Sequence, residues 1–369
     1  MYLPQFVLAG LLLVAGAQQA VAVPAPTTDD ISTAASASCA GKDVLVRKEW
    51  RSLPKPERLD YINAVKCLMK KPSKNGGVYA GAKSRYDDFL ALHIVETDLI
   101  HFNGPFLAWH RWFLHLFEQE LRNTCGYKGA QPYWDFSKDN TINGFSKSPL
   151  FDVTHGLGGN GPYVADVSDP ITFPVTTPTI IPNRTGGGCL DNGPFSGLVV
   201  NMGLGLSTDY TPHCLRRDFS PVLVSQALSN SNLKAALDAK NYFDFSIKIQ
   251  GTSFEVSGLT LHAGMHLGIG GQVGDAADMY SSPGDPLFWF IHGALDKIWD
   301  QWQRANWSVR KSEIAGPDTN FAYPFNFFGD VPYKNITLDF PLQYPYFGKN
   351  LTVRDVMDTK NAALCYTYA

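Results

Sequence analysis

The sequence contains few charged residues, and neither sign dominates. Its 369 residues include 31 lysines and arginines against 34 aspartates and glutamates, which gives a net charge of −3. Nucleic acids and anionic membrane surfaces attract strongly basic chains, and this chain is not one. Beyond the first 22 residues, no segment is long and apolar enough to span a bilayer. We therefore expect neither nucleic acid nor a membrane as the main partner.

The N-terminus has no lysine or arginine ahead of its apolar run, which departs from the usual secretory pattern. Residues 1–22 nevertheless contain the run Phe6–Ala17 and end in Ala-Val-Ala, a small-residue cleavage pattern. The run is too short for a membrane span, so residues 1–22 are predicted to be a signal peptide. Residues 23–38, rich in Pro, Thr, Ser and Ala, are predicted to be a flexible lead-in or a propeptide. These features predict a secreted, extracellular protein.

Cysteines are also few, and their number is even. Six cysteines behind a signal peptide predict three disulfides, although six allow 15 different pairings. One hypothesis joins the ends of the folded region and closes a glycine-rich loop, with the pairs Cys39–Cys365, Cys189–Cys214 and Cys67–Cys125. N-glycosylation sequons agree with secretion, and they lie at Asn183, Asn306, Asn335 and Asn350.

Apolar residues at three- and four-residue spacing predict a mainly α-helical chain. The predicted helices cover residues 58–71, 84–95, 105–125, 225–240, 259–267 and 285–304. Proline suits their first turns at Pro105 and Pro286, and Gly126 suits a helix end. Residues 126–221 and the C-terminal segment are predicted to be loops with a few short strands. No interdomain linker is visible, so residues 39–369 are predicted to form a single domain.

The predicted helix over residues 105–125 has two different faces. Four polar residues follow helical spacing and predict an exposed or salt-bridged polar stripe, namely Arg111, His115, Glu118 and Arg122. His110 lies instead on the apolar stripe, where a polar side chain needs a partner, and a metal ion is a good one.

Six of the nine histidines fall into two blocks of three. The first triplet is His93, His101 and His110, and the second triplet is His262, His266 and His292. Neutral imidazole suits redox-active copper, and three nitrogens leave positions open for oxygen and substrate. The remaining loop histidines, His155 and His213, are given no ligand role. The two triplets predict a binuclear copper centre for oxygen chemistry.

Longer motifs surround these histidines. The first motif is His101-x4-Phe106-Leu107-Ala108-Trp109-His110-Arg111, followed by Leu114 and Glu118. The second motif is Asp285-Pro286-x-Phe288-Trp289-x2-His292-x3-Asp296. Both resemble the copper signatures of the tyrosinase and polyphenol oxidase family, and the resemblance spans roughly residues 93–296.

The resemblance implies a type-3 copper protein, in which a four-helix bundle supplies six imidazoles to two copper ions. The first triplet would hold one copper and the second triplet the other. Tyr366-x-Tyr368 resembles the motif that closes the family's catalytic domain, and Arg47 resembles its cation–π partner. Longer relatives continue into a C-terminal domain that covers the site. This chain stops at residue 369 and so resembles a short, secreted fungal form without that domain.

Within this family, catechol oxidases act on o-diphenols, and tyrosinases also hydroxylate monophenols. Hydroxylation needs a deprotonated phenol, whose pKa of about 10 is the obstacle. Family tyrosinases are thought to hold a water for this step with a Glu and with an Asn that follows the first ligand of the second triplet. Here Ala263 takes the Asn position, and Glu255 is the best candidate for the Glu, although it could equally be a surface residue. Leu267 would favour hydrophobic phenols over charged amino acids.

The expected function is therefore oxidation of o-diphenols to o-quinones by O2, with weak or selective hydroxylation of monophenols. A small phenol and O2 are the expected partners, and the chain is expected to be a monomer or a weak homodimer. The alternatives within the family are a full tyrosinase and an oxidase of o-aminophenols or methoxyphenols. An oxygen carrier would need a covered site, and a zinc hydrolase would need a Glu directly after His262.

Two residues beside His292 have open roles. Asp296 lies one turn after it and could orient a ligand imidazole, or could form an ion pair with a Lys or Arg. Phe288 lies one turn before it and could shield the metals, or could simply pack in the core.

Overall fold

The structure, a computed structural model, describes Cys39 and residues 44–167, 180–326, 328–348 and 350–369. The predicted signal peptide and lead-in, residues 1–38, lie outside the described residues. Within the described part, the α-helices are α1 (Lys55–Leu68), α2 (Arg85–Ile100), α3 (Phe106–Cys125), α4 (Pro221–Ala227), α5 (Asn230–Leu237), α6 (Tyr242–Gln250), α7 (Leu261–Gly270), α8 (Phe288–Ala305), α9 (Trp307–Arg310) and α10 (Val353–Val356). No helix among these residues combines the length and the apolar character that a bilayer crossing requires.

Short strands complete the described fold. They are β1 (Leu45–Arg47), β2 (Val199–Val200), β3 (His213–Cys214), β4 (Pro341–Leu342), β5 (Leu351–Thr352) and β6 (Tyr366–Tyr368). The strands β1 and β6 pair in parallel, whereas β2–β3 and β4–β5 are antiparallel. The mainly α fold class is confirmed, because the strands contribute only three two-stranded sheets to the described residues.

The helices α2, α3, α7 and α8 form the bundle that carries the two histidine triplets. The start of α2 is fixed by a capping box between Ser84 and Asp87, which satisfies backbone N–H groups at the helix start. The end of α3 is fixed by Gly126, whose φ of 71° lies in the left-handed region that glycine adopts without strain. Both signals are legible in the sequence.

Aromatic side chains lock α3 and α8 together. The rings of Phe117 and Trp289 are stacked with centroids 3.6 Å apart, and Phe113 packs on the same indole at 5.0 Å. Both phenylalanines and the tryptophan are fully buried. Such pairs contribute about 0.5–1.5 kcal/mol each beyond the area that they bury. The apolar faces predicted for these two helices therefore form one shared core.

The helix α7 packs closely on α4 through two glycines. A Cβ at Gly264 would collide with Ala227, and one at Gly268 would collide with Val224. Glycine weakens a helix by roughly 1 kcal/mol relative to alanine, so its presence here is explained by the close approach of the two helices.

Two helix predictions were wrong in detail. Residues 225–240 form two helices rather than one, because the Ser229 side chain accepts a hydrogen bond from the backbone N–H of Asn232 and begins α5. The helix α6 was not predicted at all. Its end, Gln250, becomes important at the site.

All three hypothesised disulfides are present, namely Cys39–Cys365, Cys67–Cys125 and Cys189–Cys214. The first of them closes a loop of 326 residues next to the β1–β6 pair. Cross-linking so distant a pair restricts the unfolded chain most strongly in the chain-entropy account of disulfide stabilisation.

The polar stripe on α3, predicted to be exposed or salt-bridged, is largely buried. Arg111 and Glu118 form ion pairs and have no exposed surface. His115, which stacks on the Trp112 ring at 4.7 Å, is 8% exposed. The salt-bridged alternative is therefore the one observed for Arg111 and Glu118, since buried ion pairs follow the same helical spacing as solvated charges.

Arg111 and Glu118 belong to a buried cluster of charged side chains. Arg111 Nε donates to Asp296 Oδ1 at 2.5 Å, and Arg47 donates to both Asp296 (3.2 Å) and Glu118 (3.0 Å). The hydroxyl groups of Tyr366 and Tyr368 both donate to Asp296 Oδ2. The Arg47 guanidinium also lies 3.6 Å from the Tyr366 ring centroid, as the family resemblance implied. The cluster joins the strands β1 and β6 to the helices α3 and α8.

We predict that Arg111→Leu lowers the free energy of unfolding by about 3–5 kcal/mol, because Asp296 would keep a buried charge with half of its compensation removed. Urea unfolding followed by circular dichroism measures the change. Arg354→Leu is the matched control, since its pair with Asp339 is exposed and should be worth about 1 kcal/mol or less. Equal losses in the two variants would contradict the role of the buried cluster.

Candidate metal centre

The first triplet is assembled by α2, by the residue that ends it, and by α3. His93 lies within α2, His101 is its C-cap residue, and His110 lies in the second turn of α3. Their ring centroids are 5.1–5.7 Å apart. All three are at most 3% exposed. Three imidazoles thus converge on one point inside the bundle.

The second triplet is assembled by α7 and α8. His262 and His266 lie one turn apart on α7, and His292 comes from α8. Their ring centroids are 4.7–5.4 Å apart, and all three residues are buried. In each triplet, the possible ligand atoms lie within 4.8 Å of one another.

The two triplets face each other directly. The rings of His110 and His292 are stacked at 4.1 Å with an angle of 10° between their planes. The rings of His101 and His262 are stacked at 5.7 Å. Two ring pairs therefore join the triplets, and the six imidazoles form a single centre.

Backbone carbonyls fix the orientation of four of the six rings. The Nδ1 contacts are His93 with Tyr280 O (2.7 Å), His101 with Thr97 O (3.0 Å), His110 with Phe106 O (2.8 Å) and His266 with Ala276 O (2.7 Å). A carbonyl only accepts, so each Nδ1 must carry the proton. The lone pair of each Nε2 is therefore free to bind a metal.

Burial keeps these histidines neutral. It lowers the pKa of all six, and repulsion from neighbouring histidines lowers most of them further. The pKa falls to about 3 for His101 and to about 4 for His266, where burial is again the main cause. A neutral imidazole is the form that binds a metal ion.

One side of the centre is closed by aromatic rings. Phe288 is fully buried, with its ring centroid 4.2 Å from His292 and 5.1 Å from His93. Phe106 contacts His262 at 4.6 Å and His110 at 4.8 Å. Phe288 therefore contacts both triplets and also belongs to the buried core, so its position agrees with both roles considered for it, shielding of the metals and core packing.

The other side opens into a cavity beside His101, His262 and His266. Its apolar lining includes Ala263, Leu267, Phe102, Phe254, Leu259 and Met279. Its polar lining is Gln250, Ser253, Asp278 and Ser282, and none of the described lining residues is a lysine or an arginine. Because the cavity reaches the histidine rings, it is the natural place for a substrate.

Comparison with known proteins agrees with this geometry. Residues 83–305 match the common central domain of tyrosinase. The chain belongs to the tyrosinase family. Among relatives, N-acetyl-6-hydroxytryptophan oxidase ivoB of Emericella nidulans is 34% identical over 360 residues, covering 89% of this chain and 93% of its own. Tyrosinase P of Aspergillus terreus is 32% identical over 363 residues, covering 94% and 98%.

A solved member of the tyrosinase family shares the fold. A mutant of polyphenol oxidase from Thermothelomyces thermophila aligns with a TM-score of 0.76 and 33% identity, covering 88% of this chain and 89% of its own. Members of the family are copper oxidoreductases with a binuclear centre. The cofactor of this protein is accordingly a pair of copper ions, and the protein is a type-3 copper enzyme.

The atoms of the centre fit this cofactor. Buried ring nitrogens without a hydrogen-bond partner in the described part of the chain are His93 Nε2, His110 Nε2, both nitrogens of His262, and His292 Nδ1. The Nε2 atoms of His266 and His292 approach to 3.2 Å. Unpaired buried polar atoms are costly, and cations placed among them would remove the cost.

Glu255 was proposed as a water-holding residue, with a surface residue as the alternative. It is exposed and does not line the cavity, which agrees with the surface alternative. It directly precedes a short 3₁₀ turn, Val256–Gly258. Gln250 and Asp278 line the cavity instead, and sequence reasoning missed both. The missed signal was a cap at Asn241 followed by apolar residues at helical spacing, which marks α6.

For Asp296, two roles were left open, orientation of a ligand imidazole and an ion pair. The carboxylate of Asp296 bonds to two arginines and two tyrosines rather than to a ring nitrogen. Although burial alone would raise its pKa, Arg111 and Arg47 hold that pKa below its usual value. The alternative interpretation, an ion pair, is the one observed.

We predict that the copper-free protein loses stability as pH falls from about 6.5 towards 4. In that range unfolded histidines bind protons, whereas the six folded ones stay neutral because their pKa values are lowered. Each such histidine contributes about 1.4 kcal/mol per pH unit. His213 acts in the opposite sense, since Asp275 raises its pKa despite burial, but it is one residue against six.

Urea unfolding of the copper-free protein at about pH 7.5 and pH 5 measures this effect. The control is a pair of values above pH 7, between which these histidines should contribute no difference. Equal stability at pH 5 and pH 7.5 would show that the six histidines are not buried as neutral bases.

Proposed function

We propose that this enzyme oxidises o-diphenols to o-quinones with O2 and hydroxylates monophenols only weakly or selectively. His93, His101 and His110 would hold one copper ion, and His262, His266 and His292 would hold the other. The observation that carries the proposal is a histidine centre that opens onto a largely apolar cavity, in which the one carboxylate of the described lining, Asp278, already accepts four hydrogen bonds. The overall reaction converts two diphenols and one O2 into two quinones and two waters.

When bound, the two copper ions supply two-electron exchange between the phenol and O2. The side chains of the protein would position the substrate and exclude water from the histidine centre. Phe288 and Phe106 close one side of the centre, so a substrate can approach only from the cavity side. There Ala263 and Leu267, which follow His262 and His266 in the sequence, form part of the wall against which a phenol ring would lie.

The lining favours neutral substrates. Asp278, which is 5% exposed, is the one charged residue in the described lining. An anionic phenol would meet this carboxylate without any lysine or arginine in the lining to balance its own charge. Leu267 adds apolar surface. These features support a preference for uncharged phenols.

The weak hydroxylation follows from the groups that could take a phenol proton. Four hydrogen bonds already converge on Asp278, from the backbone N–H groups of Gly205, Tyr280 and Ser281 and from the Ser281 hydroxyl. Burial raises the pKa of Asp278, and these hydrogen bonds offset the rise only in part, so Asp278 is the one carboxylate in the described lining that could accept a proton, at the expense of some of these bonds. Gln250 is a very poor base, because the lone pair of an amide nitrogen is delocalised and its oxygen binds a proton only in strong acid. Ala263 offers no polar group, so a diphenol, which loses its protons more readily beside a metal, is the favoured substrate.

A second candidate is an oxidase of o-aminophenols or methoxyphenols. Gln250 is 1% exposed, and its Oε1 has no hydrogen-bond partner among the described residues, while its Nε2 donates to Asn103 O and Ser246 Oγ. An unpaired acceptor beside the cavity would suit an amine or hydroxyl donor on the ring. A full tyrosinase is the other alternative, supported by the name of Tyrosinase P.

We further propose that the chain is secreted and extracellular. Three disulfides hold the described fold together, and disulfides persist mainly in oxidising compartments. Cys39, which directly follows the predicted lead-in over residues 23–38, is joined to Cys365. A single catalytic domain over residues 39–369, acting as a monomer or a weak homodimer, completes the proposal.

Oxygen uptake by the copper-loaded enzyme, measured with catechol and with phenol, tests the activity. We expect uptake with catechol to exceed uptake with phenol by at least about tenfold, since phenol requires a base and the one carboxylate of the described lining, Asp278, is already engaged by hydrogen bonds. His110→Ala should lose most copper from the first triplet and more than about 99% of catechol uptake. Metal analysis of the same sample separates loss of copper from loss of fold.

Three outcomes bear on the proposal. Comparable uptake with catechol and phenol would make the enzyme a full tyrosinase. Uptake with o-aminophenol but not with catechol would favour the second candidate. No uptake with any of them, from protein that holds two copper ions per chain, would contradict the oxidase proposal.

Replacing Ala263 tests the missing base. Ala263→Asp places a carboxylate at the edge of the cavity beside His262, and it should raise the ratio of phenol to catechol activity by about tenfold or more. Ala263→Val is the matched control, because valine is similar in size to aspartate but neither takes a proton nor holds a water. Equal ratios in the two variants would show that proton transfer does not limit monophenol hydroxylation.

A further inference from the structure

An aromatic wall begins beside the metal centre and continues to the protein surface. Phe102 directly follows the ligand residue His101, and both Phe102 and Phe254 line the cavity. Their rings lie 5.3 Å apart in an edge-to-face arrangement. Phe321 stacks on Phe102 at 5.1 Å and also contacts Phe254 at 5.9 Å.

The chain of rings ends in a half-exposed residue. Phe328 meets Phe321 edge-to-face at 4.9 Å, and half of its surface is open to solvent. The four residues Phe102, Phe254, Phe321 and Phe328 are called the phenylalanine shelf below. A single exposed phenylalanine is common on protein surfaces, but this one is joined through Phe321 to the two phenylalanines that line the cavity.

Two residues of the phenylalanine shelf have a strained backbone. Phe102 has a φ of 49° and Phe321 a φ of 57°, in the left-handed region that bulky residues rarely adopt. The backbone N–H of Phe321 donates to the carbonyl of Phe102 at 3.1 Å, which joins the two strained residues. A second bond, from Gly104 N–H to Pro317 O at 2.8 Å, anchors the same loop. Such strain persists where the surrounding structure enforces it, commonly at ligand-binding positions.

The cavity lining is divided between aromatic and polar groups. The aromatic side, with Phe102 and Phe254, carries no charge, whereas Gln250 and Asp278 supply polar groups. The aromatic side is therefore suited to an apolar, uncharged part of the substrate.

We propose that the phenylalanine shelf binds a second, apolar ring of the substrate while the phenolic ring lies at the histidines. The proposal rests on the proposed diphenol oxidation, and it narrows the substrate class to neutral phenols with an aromatic substituent opposite the reacting hydroxyl groups. Phe254 would contact the substituent first, and Phe321 and Phe328 would form its outer boundary.

Binding and turnover are measured separately to test it. Calorimetry without oxygen compares phenol with 4-phenylphenol on the copper-loaded enzyme, and oxygen uptake compares catechol with 4-phenylcatechol. One aromatic contact is worth about three- to tenfold in affinity, so the two-ring ligand should bind at least that much more tightly. The KM for 4-phenylcatechol should be lower than that for catechol by a similar factor.

Phe328→Ser should reduce the preference for the two-ring compounds by about three- to tenfold, in both measurements. Phe328 is exposed, so its replacement should not prevent folding. Tyr163→Ser is the matched control, because Tyr163 is an exposed aromatic residue that packs on Arg184 and does not line the cavity. It should leave both the activity and the preference unchanged. The 4-tert-butyl compounds distinguish a specific ring contact from general hydrophobicity, since their preference should change less in Phe328→Ser.

Equal binding of phenol and 4-phenylphenol would overturn the proposal, as would an unchanged preference in Phe328→Ser. Failure of the proposed oxidation looks different: the two-ring ligand would still bind more tightly in calorimetry, but neither diphenol would consume oxygen. The shelf would then stand as a binding site, and only the reaction assigned to it would fall.

Discussion

The buried carboxylate of Asp296 holds the catalytic frame together. It lies one turn after His292 on α8, and it bonds to Arg111, the residue that follows His110 on α3. The stacked rings of His110 and His292 therefore sit directly beside the ion pair that joins their helices. Arg47 of β1 and the two tyrosines of β6 also donate hydrogen bonds to this carboxylate. A displacement of either helix would break a buried charge pair, which is expensive, so the spacing of the two triplets is tightly held.

The charge cluster pairs opposite charges, whereas the histidine centre is made of neutral groups. Six neutral bases are packed together without enough hydrogen-bond donors, and several ring nitrogens are left unpaired within the described residues. Burial and mutual repulsion prevent protonation from solving the problem, because both lower the pKa of these histidines. Copper ions remove the deficit by using the lone pairs. The charge cluster thus fixes the frame independently of the metal, while the histidines leave an arrangement that only a cation satisfies.

Much of this arrangement could be predicted from the sequence, because it depends on local spacing. The histidine triplets, the end of α3 at Gly126 and the apolar face of α8 all follow from helical periodicity and residue type. The burial of Arg111 and Glu118 could not be predicted in the same way, since their partners lie far away in the chain. The exposure of Glu255 could not be predicted for a different reason. Whether a loop residue faces a cavity depends on backbone turns, and the single 3₁₀ turn after Glu255 directs it to solvent while Gln250 faces inward.

This division between helices and loops also separates chemistry from selectivity. All six histidines and Phe288 belong to the helical frame or its ends, where packing leaves little freedom. The cavity wall contains Ala263 and Leu267 from α7, whereas Phe254, Asp278 and Met279 come from loops. The ring of Phe321 connects Phe254 to the half-exposed Phe328. Loops tolerate change better than a packed bundle does. Relatives that share the dicopper frame can therefore differ in the phenol that they accept, because substitutions in these loops alter the cavity without moving a single copper ligand.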